Sequence, residues 1–162
     1  MSQHNLIEHV ALGAAAGVAA TFLLQGIRTS EQKLLPETMP PIREDPGEFM
    51  VEQAEELLPE ETREQVPTAV ETVAAKSLAL GYGMTAGAIY GALRQRPGNL
   101  LVDGTALGLG VWAVGYLGWL PALRLMPPVQ QQETEQVAGP IVQHIIFGIA
   151  TVAAYQWLHD LT

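Results

Sequence analysis

The chain has 162 residues, a formal net charge of −9 and no cysteine. That length bounds it to one compact unit rather than two large domains. The absent thiols exclude disulfides, iron–sulfur clusters and thiolate zinc sites, and the acidic balance argues against nucleic acid as a partner and against anionic headgroups as the main ligand. The charge is unevenly placed. Twelve of the 17 acidic residues fall between Glu31 and Glu71, whereas 10–27, 77–93, 104–123 and 138–158 contain no Asp, Glu, Lys or Arg. Each of these stretches approaches the about 20 residues needed to cross a hydrocarbon core of about 30 Å. Soluble amphipathic helices would show a recurring polar face. Here 10–27 is broken only by Thr21 and Gln25, and 104–123 only by Thr105. The expectation is an all-α integral membrane four-helix bundle forming a single domain, 1–162. Its spans fall at about 6–27, 72–93, 100–123 and 138–158, with an acidic loop over 28–71.

The first stretch follows a leader without Lys or Arg, and Asn5 and Glu8 have the spacing of an N-cap and its N3 partner. It reads as a retained helix; a cleaved signal peptide is the alternative. In the acidic loop, Asp45-Pro46-Gly47-Glu48 supplies an N-cap, a proline at N1 and an acid at N3. A short helix is expected over about 46–58, with Phe49, Met50, Ala54, Leu57 and Leu58 as its apolar residues. After Pro59, residues 60–72 run on toward the second span, with Pro67 as a kink. A helix lying on anionic lipid would be rich in Lys and Arg. This one is acidic, so the segment 31–66 reads as a solvated cap or as a docking surface for a protein partner.

The second and third spans are joined by Arg94-Gln95-Arg96-Pro97-Gly98-Asn99, a turn signal followed by an N-cap candidate, Asn99. Asp103 then suits the positive end of the third helix. Arg94 and Arg96 read as cytoplasmic anchors. The first loop carries Arg28, Lys33, Arg43 and Arg63, which point the other way, but it is long and strongly acidic. The expectation is cytoplasmic termini.

Two segments repeat. Leu35-Pro36 followed by Met39-Pro40-Pro41-Ile42 matches Leu120-Pro121 followed by Met126-Pro127-Pro128-Val129. Tyr82-Gly83 with Tyr90 and Leu93 matches Phe147-Gly148 with Tyr155 and Leu158. A duplicated two-helix unit has an even number of spans, so both copies enter from one side and the repeat is parallel. Both Met-Pro-Pro loops then share one face, opposite the termini and the 94–99 turn.

Ionisable residues within spans are the usual functional pointers. Lys76 and His144 qualify, each about one and a half turns from the loop side. With Glu71 they form a candidate polar site beneath the Pro-Pro loops. Against this, Lys76 reaches the headgroups by snorkelling and His144 is a hydrogen-bonded core residue beside Gln143. In the repeat, His144 corresponds to Ala79. Haem needs two histidines at one depth: His144 has no such partner, and His9 and His159 could meet only at the membrane surface. No cofactor and no metal are expected. The pairs Gly13/Gly17, Gly87/Gly91 and Gly104/Gly108 predict close helix packing within the unit. Trp112, Trp119, Trp157 and Tyr116 suit interfacial or lipid-facing positions.

The runs Tyr82-Gly83-Met84-Thr85-Ala86-Gly87-Ala88-Ile89-Tyr90-Gly91, Met126-Pro127-Pro128-Val129 and His144-Ile145-Ile146-Phe147-Gly148 resemble the YagU-like family of bacterial inner-membrane proteins. The resemblance implies four spans and an inner-membrane location, and no reaction. Such proteins are expected to carry a histidine before the aromatic-Gly in both halves; Ala79 departs from that pattern. The expected function is a non-enzymatic accessory or interaction subunit of a membrane complex. A small transporter or channel is the alternative, and a membrane-embedded enzyme the third.

Overall fold

A computed structural model describes residues 3–42, 45–63, 65–94 and 98–162, with side chains from Leu6 onward within those ranges. Arg43, Arg96 and Pro97, singled out above, lie outside them. Among the described residues the secondary structure is entirely helical. The helices are α1 (Gln3–Leu34), α2 (Pro46–Glu55), α3 (Glu60–Arg63), α4 (Thr68–Leu93), α5 (Leu100–Trp112), α6 (Leu120–Ala122) and α7 (Thr134–His159). A π-helical segment, Ala113–Trp119, joins α5 to α6 in one rod. Among the described residues three helices are long and apolar enough to cross a membrane: Leu6–Leu34, Leu100–Ala122 and Thr134–His159. Helix α4 matches them in length, but Lys76, two tyrosines and four glycines dilute its apolar character. No more than a third of each apolar window is buried inside the protein. Phe22, Ile89, Val114, Val142 and Trp157 all face outward. Apolar surface on every side is what lipid solvation allows and water does not.

The rods pack as two antiparallel pairs. In the first, a Cβ on Gly13 would collide with the carbonyl of Gly87, and one on Gly17 with that of Gly83. In the second, a Cβ on Gly104 would lie 2.6 Å from the Ile149 Cα, and one on Gly148 would strike the carbonyl of Gly104. Glycine here substitutes backbone contact for side-chain contact, which is how helices associate where lipid removes the hydrophobic drive. The expected intramolecular role of the glycine pairs is what the structure shows. The pairs dock through α1 and α7, where Ala16 and Val152 have no exposed surface. Helices α4 and α5 scarcely touch.

Several boundaries move, each for a local reason. Helix α1 runs seven residues past 27 and ends where Leu35, preceding Pro36, leaves the helical region (φ −140°, ψ 57°). At its start Asn5 is itself helical, so the Asn5/Glu8 cap is not used. Asp45 caps α2 as expected, accepting from the N–H groups of Gly47 (2.8 Å) and Glu48 (3.2 Å). The helix stops at Glu55, short of 58. Pro67 does not kink a continuous helix: it lies in an extended conformation as the N-cap of α4, because a proline disfavours helix at the residue before it. The π segment follows from Pro121, which offers no N–H to the Leu117 carbonyl and crowds it. The rod adjusts at Gly118 (φ −105°, ψ −105°), and the Leu120 N–H bonds back to Gly115. Tyr116 is buried beneath stacked Trp112, not lipid-facing, because that segment turns it inward. Trp157 is 63% exposed and fits the interfacial reading.

Both proline-rich loops lie on one face. Phe49 of α2 packs against the cluster of Tyr116, Leu120, Leu125 and Met126. Gly47 sits where a Cβ would come 2.7 Å from the Ala75 carbonyl, so α2 is seated directly on α4.

Candidate functional site

A cavity of about 480 Å³ occupies the loop-side half of the gap between α4 and the α5–π rod. Its wall is mostly apolar: Leu24, Leu78, Val111, Leu120 and Phe147. Helix α1 adds Thr21, Gln25 and Arg28, α4 adds Ala79, Tyr82 and Gly83, and α7 adds His144. The π segment contributes Gly115, Tyr116 and Trp119, and the start of α2 roofs it with Asp45, Pro46, Gly47 and Met50. Its volume lies in the range of small-molecule sites, as does a mainly apolar wall with a few convergent polar groups. π-helical turns recur at such sites.

The polar groups converge. A Cβ on Gly115 would lie 3.9 Å from Trp119 Nε1 and 4.0 Å from the Tyr82 hydroxyl. Tyr82 also donates loosely to the Val111 carbonyl (3.4 Å) and meets Trp119 edge-on at 6.3 Å. His144 packs edge-on against Tyr116, their centroids 5.5 Å apart. Its Nδ1 lies 2.7 Å from the Pro140 carbonyl. A carbonyl only accepts, so Nδ1 carries the proton and Nε2 is left as an acceptor in the neutral ring. Arg28 lines the same cavity as Tyr116 and His144.

Toward the termini the cavity ends at the Gly17–Gly83 seam, where Thr21 is buried and donates to the Gly17 carbonyl (2.8 Å). Below it lies the packed core of Ala16, Tyr90, Val152 and Tyr155. Beyond this plug a second polar network ties the terminal face together. Arg94 and Asp103 form an ion pair at 2.8 Å, and Tyr90 donates to the other Asp103 oxygen at 3.3 Å. The Tyr155 hydroxyl lies 2.8 Å from both the Arg94 carbonyl and His9 Nδ1. Asn99 caps α5 through the N–H groups of Leu101 and Val102. His9 and His159 do meet there, their rings stacked at 5.4 Å.

The three residues expected to form a polar site are not gathered. His144 lines the cavity, half-buried. Lys76 is exposed on α4, and Glu71 is half-buried in the first turn of that helix; neither lines the cavity. Lys76 stands one turn before Ala79 on the same helix, yet its side chain is exposed to the surroundings of the protein. Gln143 does not partner His144: it is buried and donates to Glu31, which also accepts from Thr38 (3.1 Å) and so ties α1 to α7. Arg28 lies one residue beyond the charge-free stretch 10–27, so hydropathy alone leaves it outside the span. A signal existed: Thr21, Gln25 and Arg28 recur at i, i+4 and i+7, one helical stripe. A shallower groove on the opposite face of α1 and α7 is apolar apart from Ser30 and the Glu31–Gln143 pair.

No family model, curated protein or solved structure matches the chain at significant similarity.

Proposed function

We propose that the chain is a small membrane accessory protein that takes up an amphiphilic molecule from the bilayer into the cavity between α4 and the α5–π rod. The observation that carries this reading is the union of an apolar slot, several polar side chains on its wall and a place between α4 and α5, which scarcely touch. Closure at the Gly17–Gly83 seam favours binding over a transmembrane path. The chain is read as crossing the membrane four times, with α4 as a span made tolerable by its glycine contacts, and as binding rather than catalysing.

Duplication supports the same reading. Ala79, Tyr82 and Gly83 of α4 and their counterparts His144 and Phe147 of α7 line one cavity. The Gly17–Gly83 contact also has its equivalent in Gly104–Gly148. A parallel pair of two-helix units, with its pseudo-axis through the cavity, accounts for both. The resemblance to YagU-like proteins supplies the bacterial inner membrane as location, and the arginines after the second span supply cytoplasmic termini as the orientation.

The test is extraction in mild detergent followed by mass spectrometry of bound small molecules. A near-stoichiometric amphiphile is expected from the natural protein and its loss from Ala79→Phe, which fills the slot. Equal content in both would refute the reading. A second role rests on the exposed acidic face of α2 and α3, next to Leu57 at 86% exposure. Residues 31–66 are suited to a basic protein partner, and co-purification lost on replacing Glu52, Glu55 and Glu56 by Gln would identify it.

A further inference from the structure

We infer that the ligand of this cavity is a long-chain fatty acid, with its carboxylate on Arg28 and its chain in the apolar slot; this rests on the cavity being a ligand site. Three observations select that chemistry. The first is charge. Arg28 is the one cationic side chain lining the cavity among the described residues. The one lining carboxylate, Asp45, caps α2, its Oδ1 accepting from the Gly47 and Glu48 N–H groups. One guanidinium matches one unit of negative charge, and its planar fork suits a carboxylate.

The second is the set of donors. Tyr116 is 7% exposed, yet its hydroxyl has no hydrogen-bond partner among the described residues and its side chain forms part of the wall. The Tyr82 hydroxyl and the Trp119 N–H stand together over Gly115. These hydroxyl and indole groups are donors that an anionic oxygen in the cavity would accept from. The third is size and surroundings. About 480 Å³ is room for one acyl chain and too little for a two-chain lipid, and the rods that enclose it present apolar outer faces to the layer in which fatty acids dissolve.

The assay uses Trp119 as sole reporter, in a Trp112→Phe, Trp157→Phe background, with the whole protein in nanodiscs. Dibromostearic acid quenches a tryptophan it touches. Saturable quenching is expected, displaced by stearate and far less by methyl stearate or octadecyltrimethylammonium. Arg28→Met should weaken stearate binding by roughly tenfold or more, the loss of a charge-assisted hydrogen bond, while leaving methyl stearate unchanged. Arg28→Lys should recover part of that loss, which separates the charge effect from misfolding. If the ester or the ammonium displaces as well as stearate, or Arg28→Met binds stearate normally, the cavity stands as a ligand site but the acid inference fails. If stearoyl lysophosphatidate displaces more strongly than stearate, the headgroup is a phosphate and the carboxylate assignment is wrong. Quenching that never saturates, equal in the natural chain and in Ala79→Phe, would remove the cavity as a ligand site and both readings with it.

Discussion

Replacing Tyr155 by Phe removes one oxygen from a side chain with no exposed surface. The hydroxyl has a single hydrogen, and the Arg94 carbonyl can only accept, so Tyr155 donates to Arg94 and accepts from the Nδ1–H of His9, both at 2.8 Å. Phe keeps the ring, its edge-on contact with Tyr90 at 5.3 Å and its packing on Ala16 and Val152, so no cavity opens. Two hydrogen bonds are lost, each about 1 kcal/mol net, and the carbonyl at the end of α4 loses its partner. The expected cost is about 2–4 kcal/mol. Tyr90→Phe loses one longer bond to an Asp103 that keeps Arg94, and should cost under about 1.5 kcal/mol. In a cycle with His9→Leu the two changes should be non-additive by about 1 kcal/mol, since both delete the same bond. Reversible unfolding in mixed detergent–SDS micelles, followed by far-ultraviolet circular dichroism, measures each value. If Tyr155→Phe costs no more than Tyr90→Phe, or the cycle shows no coupling, the donor assignment is refuted.

Gly87→Val places a side chain against the backbone of Gly13 and Gly17, which cannot relax by a rotamer change; at least about 3 kcal/mol should be lost, whereas Gly26→Val, with open space around its Cβ, should be neutral in the same unfolding assay. Arg124 holds φ at 60° where the Leu125 N–H closes the helix end onto Leu120, so Arg124→Gly should stabilise by about 1 kcal/mol, read as a rise in the SDS midpoint. Asp45→Ala removes the cap of α2 and should cost about 1 kcal/mol locally, read as faster Glu-specific proteolysis at Glu48 and Glu52 with an unchanged global midpoint.

The helical class, the apolar rods and the shared face of the two proline loops were legible because each follows from composition or from counting spans. The glycine contacts were legible as spacing, since small residues four apart have one main use between membrane helices. The cavity was not. Its wall is drawn from α1, α4, the α5–π–α6 rod and α7 with the start of α2 as its roof, and the shape depends on a π-helical turn produced by Pro121 acting four residues back on Leu117. Arg28 illustrates the difficulty: hydropathy ends the first span at residue 27, while the hydrogen-bond ladder continues until Pro36 stops it. Charge marks where lipid ends, and proline marks where the helix ends. The two boundaries differ by seven residues, and Arg28 and Glu31 both fall within that interval.

The same glycine contacts explain why the site lies where it does. On α1 and α4, the positions from Gly13 to Thr21 and from Gly83 to Gly91 bring the backbones together over the terminal-side half. Tyr155, Arg94 and Asp103 then fix that end. Toward the loops the small residues give out, and Leu24, Leu78, Tyr82 and Phe147 hold the rods apart. Helices α4 and α5 scarcely touch each other, and the gap between them is lined by the polar stripe Thr21, Gln25 and Arg28 of α1. A closed base and a roof seated through Gly47 follow from where glycine occurs in the sequence. Such a shape holds a molecule from the bilayer at one face of the protein, and carries it across only if the Gly17–Gly83 seam parts.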